Sequence, residues 1–352
     1  MNNSFLNMLV LYCLHKIAGE RTIYSILHLL NGKKSSQTIQ DAHLFQLTPL
    51  FNTFSSLGRS GLENLVIMLE EEGSVERYGE QSYQVTLAGM ERLNAFFGNH
   101  PFPLGLNGWK FHRLSELFWE RLTLAVQVIS HLTNRDSKYI PIQRKKEIHH
   151  WLKGFLHHSR LSRDELGAEI YRELVECLES NEELNPSILV IRLTGHKNIG
   201  LTSSQAADKL KMDHDDYHIQ FLAILHYMLE TVQAKPSEFP LLSELIADQN
   251  DTAPLTQSTK KTFSFLEKGY QVEEIARIRK LKKSTIEDHI VEIALNINSF
   301  DIAPFVNMEK QNLIIRAAKS ITSKQLKHIR QFVPDADYFE IRLVLAKAGD
   351  ES

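Results

Sequence analysis

Arg277-Ile278-Arg279-Lys280-Leu281-Lys282-Lys283 places five cations in seven consecutive positions. Charge at that density neutralises nucleic-acid backbone phosphates or meets an acidic protein surface. A solvated turn is the plainer alternative, and spacing alone does not choose among the three. Other candidates for chemistry are weaker. Asn31-Gly32-Lys33-Lys34-Ser35 ends like a phosphate-binding loop, but Leu27 stands where the first glycine of G-x-x-x-x-G-K-[ST] is required. The chain is therefore expected to be no motor itself. His149-His150 and His157-His158 lack a carboxylate or thiolate at metal spacing. His214 and His218, among Asp213, Asp215 and Asp216, read as a helix start whose acids suit the positive dipole end. Cys13 and Cys177 fall in apolar helical stretches and read as structural thiols. No catalytic residue, metal ligand or cofactor site is assigned.

The basic run needs elements to hold it. Thr259–Gly269, Val272–Arg279 and a third segment from Ser284 onward predict three helices, with Gly269 at a C′ position that requires positive φ. Ser284-Thr285-Ile286-Glu287 predicts a capping box for the third helix. Ile286, Ile290, Ile293 and Ile297 form one apolar face. Together these make a helix-turn-helix whose turn carries the cations. The expected outward positions of the third helix are Thr285, Asp288, His289 and Glu292. Two carboxylates there disfavour sequence-specific base reading. The candidate nucleic-acid or partner-binding residues are Arg277, Arg279, Lys280, Lys282, Lys283, Thr285 and His289.

The 352 residues suffice for two or three domains, with 43% hydrophobic and 24% charged residues supporting real cores. Net charge is −3, which offers no global field for nucleic acid. By segment it is −2 over 1–97, −4 over 98–254 and +5 over 255–348. Two cysteines make no disulfide framework, and the apolar run Met8–Leu14 is too short for a membrane span and lacks signal-peptide flanks. The expected location is cytoplasmic, with nucleoid association if DNA is bound.

Two breaks divide the chain. One is Gly98–Gly105, with two prolines; the other runs from about Lys235 to Ser258, with three prolines and a polar run from Asp248, and has room for one short helix near Leu241–Ala247. Within 1–97, a helix through Leu62–Leu69 precedes Val75–Tyr78 and Ser82–Leu87, which predict a hairpin around Gly79-Glu80-Gln81. Helix, hairpin and Thr86-Leu87-Ala88-Gly89 resemble the closing part of a winged-helix domain. Its helix and wing carry Glu63, Glu70, Glu71, Glu72, Glu76 and Glu80 against Arg59 and Arg77, a surface that repels phosphate. Within 104–235, Leu201–Asp213 looks like the first helix and turn of another helix-turn-helix, again followed by an acidic helix start. The expected fold is mainly α, with tandem helix-turn-helix and winged-helix-like modules and one small β-hairpin wing. The expected domains are a winged-helix-like one over 1–97, a helical one over 104–235 and a helix-turn-helix one over 255–348.

Thr259, Phe263, Leu266, Gly269, Glu273-Glu274-Ile275-Ala276, Arg279-Lys280-Leu281, Ser284-Thr285-Ile286, His289, Asp301-Ile302, Phe305-Val306 and Tyr338–Ala346 closely resemble the helix-turn-helix domain at the C-terminus of some bacterial RecQ-type DNA helicases. Across its whole length the chain resembles YpbB-type proteins of Gram-positive bacteria, which are encoded beside a short RecQ-type helicase lacking that appendage. The resemblance implies a non-catalytic accessory subunit of a RecQ-type helicase in DNA repair or recombination, binding the helicase and touching DNA with low sequence specificity. A free-standing DNA-binding transcription regulator is the alternative. No membrane and no small-molecule substrate is expected as a partner.

Overall fold

The structure, a computed structural model, describes residues 4–249, 255–321 and 325–348. The Asn250–Pro254 part of the expected break and the residues after 348 lie outside that set. In chain order the first elements are α1 (Phe5–Ile17), α2 (Tyr24–Leu30), α3 (Ser36–Leu44), α4 (Arg59–Glu71), β1 (Val75–Gly79), β2 (Ser82–Val85) and α5 (Leu87–Asn99). Then come α6 (Gly108–Phe111), α7 (Leu114–Thr133), α8 (Lys146–His158), α9 (Arg163–Glu179), α10 (Ser187–Val190), α11 (Ser203–Leu210), α12 (His214–Ala234) and α13 (Pro240–Glu244). The last are α14 (Gln257–Leu266), α15 (Val272–Arg279), α16 (Lys283–Asn296), α17 (Met308–Ser320), α18 (Leu326–Phe332) and α19 (Tyr338–Ala348). The fold is mainly helical, and β1–β2 is the one sheet among the described residues.

Two compact units result. One joins Met1–Met8 to Phe96–Asn250; the other joins Leu9–Ala95 to Asp251–Ser352. In the first, α12 is central: Tyr217, Phe221, Leu225, Met228 and Leu229 pack with Phe118 and Leu122 of α7 and with Ile170 and Leu174 of α9. Tyr217 stays buried because its hydroxyl donates to the Ile188 carbonyl at 2.7 Å. Buried Glu173 accepts the Leu241 and Leu242 amides, each at 2.9 Å, and so closes the start of α13. The helix-turn-helix expected here forms as α11–α12, with Asp213 accepting the amides of Asp215 and Asp216. Cys13 and Cys177 are fully buried; burial raises both thiols, that of Cys177 to about 12. Both are inert at neutral pH.

In the second unit the hairpin pairs Val75 with Val85 and Arg77 with Tyr83, antiparallel. The second strand ends at Val85, two residues before the expected Leu87, because Thr86 turns to cap α5: its hydroxyl accepts the Gly89 amide at 3.1 Å. Gly89 has no substitute, since a Cβ there would lie 2.0 Å from the Ser74 carbonyl oxygen. The wing is thus locked onto the helix that follows it.

The centre of this unit is α16. Ile286, Ile290 and Ile293 are buried as their spacing predicts and Ile297 is half-buried; Ile275, Ile314, Ile341 and Val344 share one core cluster with Ile286 and Ile290. Helices α14, α15 and α19 pack on it, and so does α3 from the N-terminal segment. Asp288 of α16 pairs with Arg342 of α19 at 2.6 Å, and Arg342 donates to Gln40 of α3 at 2.8 Å, across 302 positions of sequence. Arg342→Leu strands a half-buried carboxylate and an amide oxygen, so it is expected to cost about 2 kcal/mol. Urea denaturation checks this; Asp288→Asn, which keeps a hydrogen-bond acceptor, is expected to cost less.

Candidate nucleic-acid interface

The turn between α15 and α16 is built by one left-handed residue. Helix α15 starts where Glu274 accepts the Gln271 amide at 2.9 Å, and it ends at Lys280, whose φ is 53°. There the Leu281 amide returns to the Ala276 carbonyl at 2.9 Å. The α11–α12 turn repeats this device: Lys211 has φ 55°, and Met212 bonds back to Ala207 at 3.0 Å. Gly269 likewise takes the positive φ expected of it, 83°.

The expected capping box is absent. Helix α16 begins at Lys283, two residues before the start that a Ser284 cap would give, so Ser284 lies inside the first turn and caps nothing. Glu287 turns instead toward Lys283, 3.9 Å away, and burial together with Asp337 and Asp288 raises its carboxyl.

The seven candidate residues separate into two sets. Arg277, Lys280 and Lys282 are exposed, with no ion pair among the described residues. Lys283 is exposed too, but its ammonium lies 2.9 Å from the exposed Glu273 carboxylate, which balances the local charge. Arg279 points the other way. Its guanidinium donates to the Ser258 carbonyl and hydroxyl, each at 2.9 Å, and to the Thr262 hydroxyl. Thr262 lies 2.7 Å from Nδ1 of His289. Arginine only donates, and Nη1 of Arg279 also faces His289 Nδ1 at 3.4 Å, so Nδ1 is an acceptor, the Thr262 hydroxyl donates to it, and the imidazole proton sits on Nε2. Burial, with the Arg279 charge beside it, pulls His289 down to about 4. The ring is neutral at pH 7. Thr285 is half-buried.

The expected outward face of α16 is therefore corrected. His289 is 8% exposed and Glu292 5%. Glu292 accepts from the Thr256 amide and hydroxyl and from the Thr259 hydroxyl, the last at 2.6 Å, while burial raises its carboxyl. Asp288 is taken by Arg342. Thr259 and Thr262 of α14 and Thr256, which caps it, satisfy polar groups that a lone amphipathic helix would turn to solvent. The signal was present in the spacing of Thr256, Thr259 and Thr262 at i, i+3 and i+6, a polar stripe on the helix facing α16.

The wing surface keeps its acidic balance. Arg59 is held by Glu63 and Tyr24, Arg77 lies 3.8 Å from Glu70, and Arg92 pairs with Glu72. Among the described residues no group of three His, Cys, Asp or Glu is arranged to hold a metal ion. No helix there is long and apolar enough to cross a membrane.

Over 349 residues the chain is 36% identical to Protein YpbB of Bacillus subtilis (strain 168), covering 99% of this chain and 98% of that one. The chain belongs to the YpbB family. Residues 258–345 of this YpbB-family chain match a helix-turn-helix domain, the stretch that holds the basic turn, buried α16 and helices α17 to α19. No solved structure matches.

Neutral, buried His289 sets a pH dependence. Its folded value of about 4 lies below the ordinary 6.5, so between those limits the unfolded chain binds more protons. The His289 contribution is complete above about pH 6.5 and is lost as pH falls toward 4, by about 2–3 kcal/mol. Buried His226, held down to about 3, acts in the same sense. Urea midpoints from pH 7 to 4 are expected to fall less steeply in His289→Gln than in the wild type, and parallel slopes would contradict this.

Proposed function

We propose that this protein is a non-catalytic accessory subunit of a RecQ-type DNA helicase in DNA repair or recombination, and that it touches DNA through backbone phosphates without reading sequence. The observation that carries the DNA part is the division of the basic turn: Arg277, Lys280 and Lys282 are free at the surface, while α16 is covered by α3, α14, α15 and α19 from Ile286 on, leaving only its first turn open. Free cations beside a covered reading helix supply affinity and little specificity. Lys283, already bound to Glu273, adds less, and Arg279 acts by holding the turn in place. Thr285 and His289 act from beneath it. Membership in the YpbB family and the RecQ-like helix-turn-helix support the helicase as partner. The motor and its ATP site lie in that partner, and the complex works in the cytoplasm, at the nucleoid. A transcription regulator would need an open base-reading face, which favours the accessory role over it.

Three phosphate contacts predict that the logarithm of the duplex binding constant falls with the logarithm of salt at a slope of about −3. Combining Arg277→Ala, Lys280→Gly and Lys282→Ala is expected to bring that slope near zero without lowering the melting temperature, since glycine suits the φ of 53° at position 280. Fluorescence anisotropy on labelled duplexes of unrelated sequence measures it. Equal binding by the triple variant, or strong preference for one duplex, would sink the phosphate-contact reading. Size-exclusion chromatography with light scattering tests the partner: the neighbouring RecQ-type helicase is expected to co-elute with the full chain at fixed stoichiometry. Separate elution at low salt would remove the accessory role.

A further inference from the structure

On the C-terminal part of the second unit, an open groove of about 520 Å³ lies between the end of α14, the start of α15, the Phe300–Phe305 loop and the start of α19. Its floor is aromatic. Phe263 meets Phe300 with ring centroids 6.2 Å apart, Phe300 meets Phe305 at 6.0 Å, and Phe305 meets Phe339 edge-on at 6.2 Å. Tyr270, 40% exposed, stands at one side with its ring edge against Phe265.

The rim is acidic. Glu267, Asp301 and Asp337 are exposed on it, and none of them has an ion pair among the described residues. Glu273, Glu287 and Glu340 complete it, and Lys283 is the one cation among the lining residues. Lys283 is matched by Glu273, and Glu340 is matched by Lys310 from outside the groove at 2.7 Å. The surplus charge is negative, within a domain whose total is positive.

We infer that this groove is a docking site for an arginine-bearing, apolar segment of a partner protein. A phosphate-bearing ligand is repelled by the rim. A bare metal ion leaves both the volume and the aromatic floor unused. A guanidinium stacks on aromatic faces and forks to carboxylates, and intervening apolar side chains fill the floor between them. The groove and the basic turn share the helix-turn-helix but carry opposite charge, so one domain holds protein and phosphate at separate places. Lys283 lies at their border and is a brake on the groove: it neutralises a carboxylate that the incoming arginine would use.

The test uses the full chain and a fluorescein-labelled synthetic peptide of alternating arginine and leucine, read by anisotropy at physiological salt. Glu267→Lys and Tyr270→Ser, both at exposed positions, are expected to weaken binding about fivefold each with unchanged thermal melts. Lys283→Ala is expected to strengthen it about threefold, the opposite of its effect on any phosphate ligand. A peptide with glutamate in place of arginine is expected not to bind. Unchanged affinity across the three variants would assign the peptide to unspecific charge attraction and overturn the site. Self-association of the chain that Glu267→Lys abolishes, seen by sedimentation, would overturn it in favour of a second copy of this chain. The triple variant of the turn, deficient in DNA binding, is expected to keep peptide affinity, so failure of either site is read separately from the other.

Discussion

The contact between Asp288, Arg342 and Gln40 joins three helices that no local stretch of sequence brings together. It satisfies a carboxylate on the side of α16 opposite its isoleucine face, and it draws α3 and α19 over that side. An ion pair at partial burial gives modest net energy, because desolvation offsets much of the attraction. What it supplies is position: α16 is covered beyond its first turn by α3, α14, α15 and α19, and helices from the two ends of the sequence are held in one unit. The surface left to the helix-turn-helix is then the turn and the first residues of α16, not the body of the helix.

Enclosing α16 also required polar groups to be buried with partners. Glu292 and His289 would each be costly in an apolar wall, and the threonines of α14 with Arg279 supply the partners. Arg279 thereby leaves the set of surface cations even though it sits in the middle of the basic run. The run divides by direction: residues on the outer side of the turn stay in solvent, and the one pointing inward becomes structural.

The two helix-turn-helix units show how little the fold says about the ligand. Lys211 and Lys280 take the same left-handed conformation and the same return bond, and each delivers the chain into a long central helix. The first of those helices starts with Asp213, Asp215 and Asp216, the second with Lys282 and Lys283. Identical backbone devices present opposite charge, so what each surface attracts is a matter of side chains placed on a common turn.

Much was legible in the residues themselves. The isoleucine spacing gave the core face of α16, Gly269 marked a left-handed position, the β-type runs around Gly79 marked the hairpin, and the charge count located the basic segment. These are local properties, set by helix and strand periodicity, by the φ that glycine tolerates and by charge that needs no partner to exist. Whether a charge is free is not local. That His289 and Glu292 lie inside, that Arg279 and Asp288 are taken by partners on other helices, that Glu287 faces Lys283 instead of capping a helix, and that distant aromatic rings line an acidic groove was decided by tertiary packing alone. A polar side chain on a helix shows its type in the sequence, but its exposure depends on which other helix covers it, and that helix can come from 302 positions away.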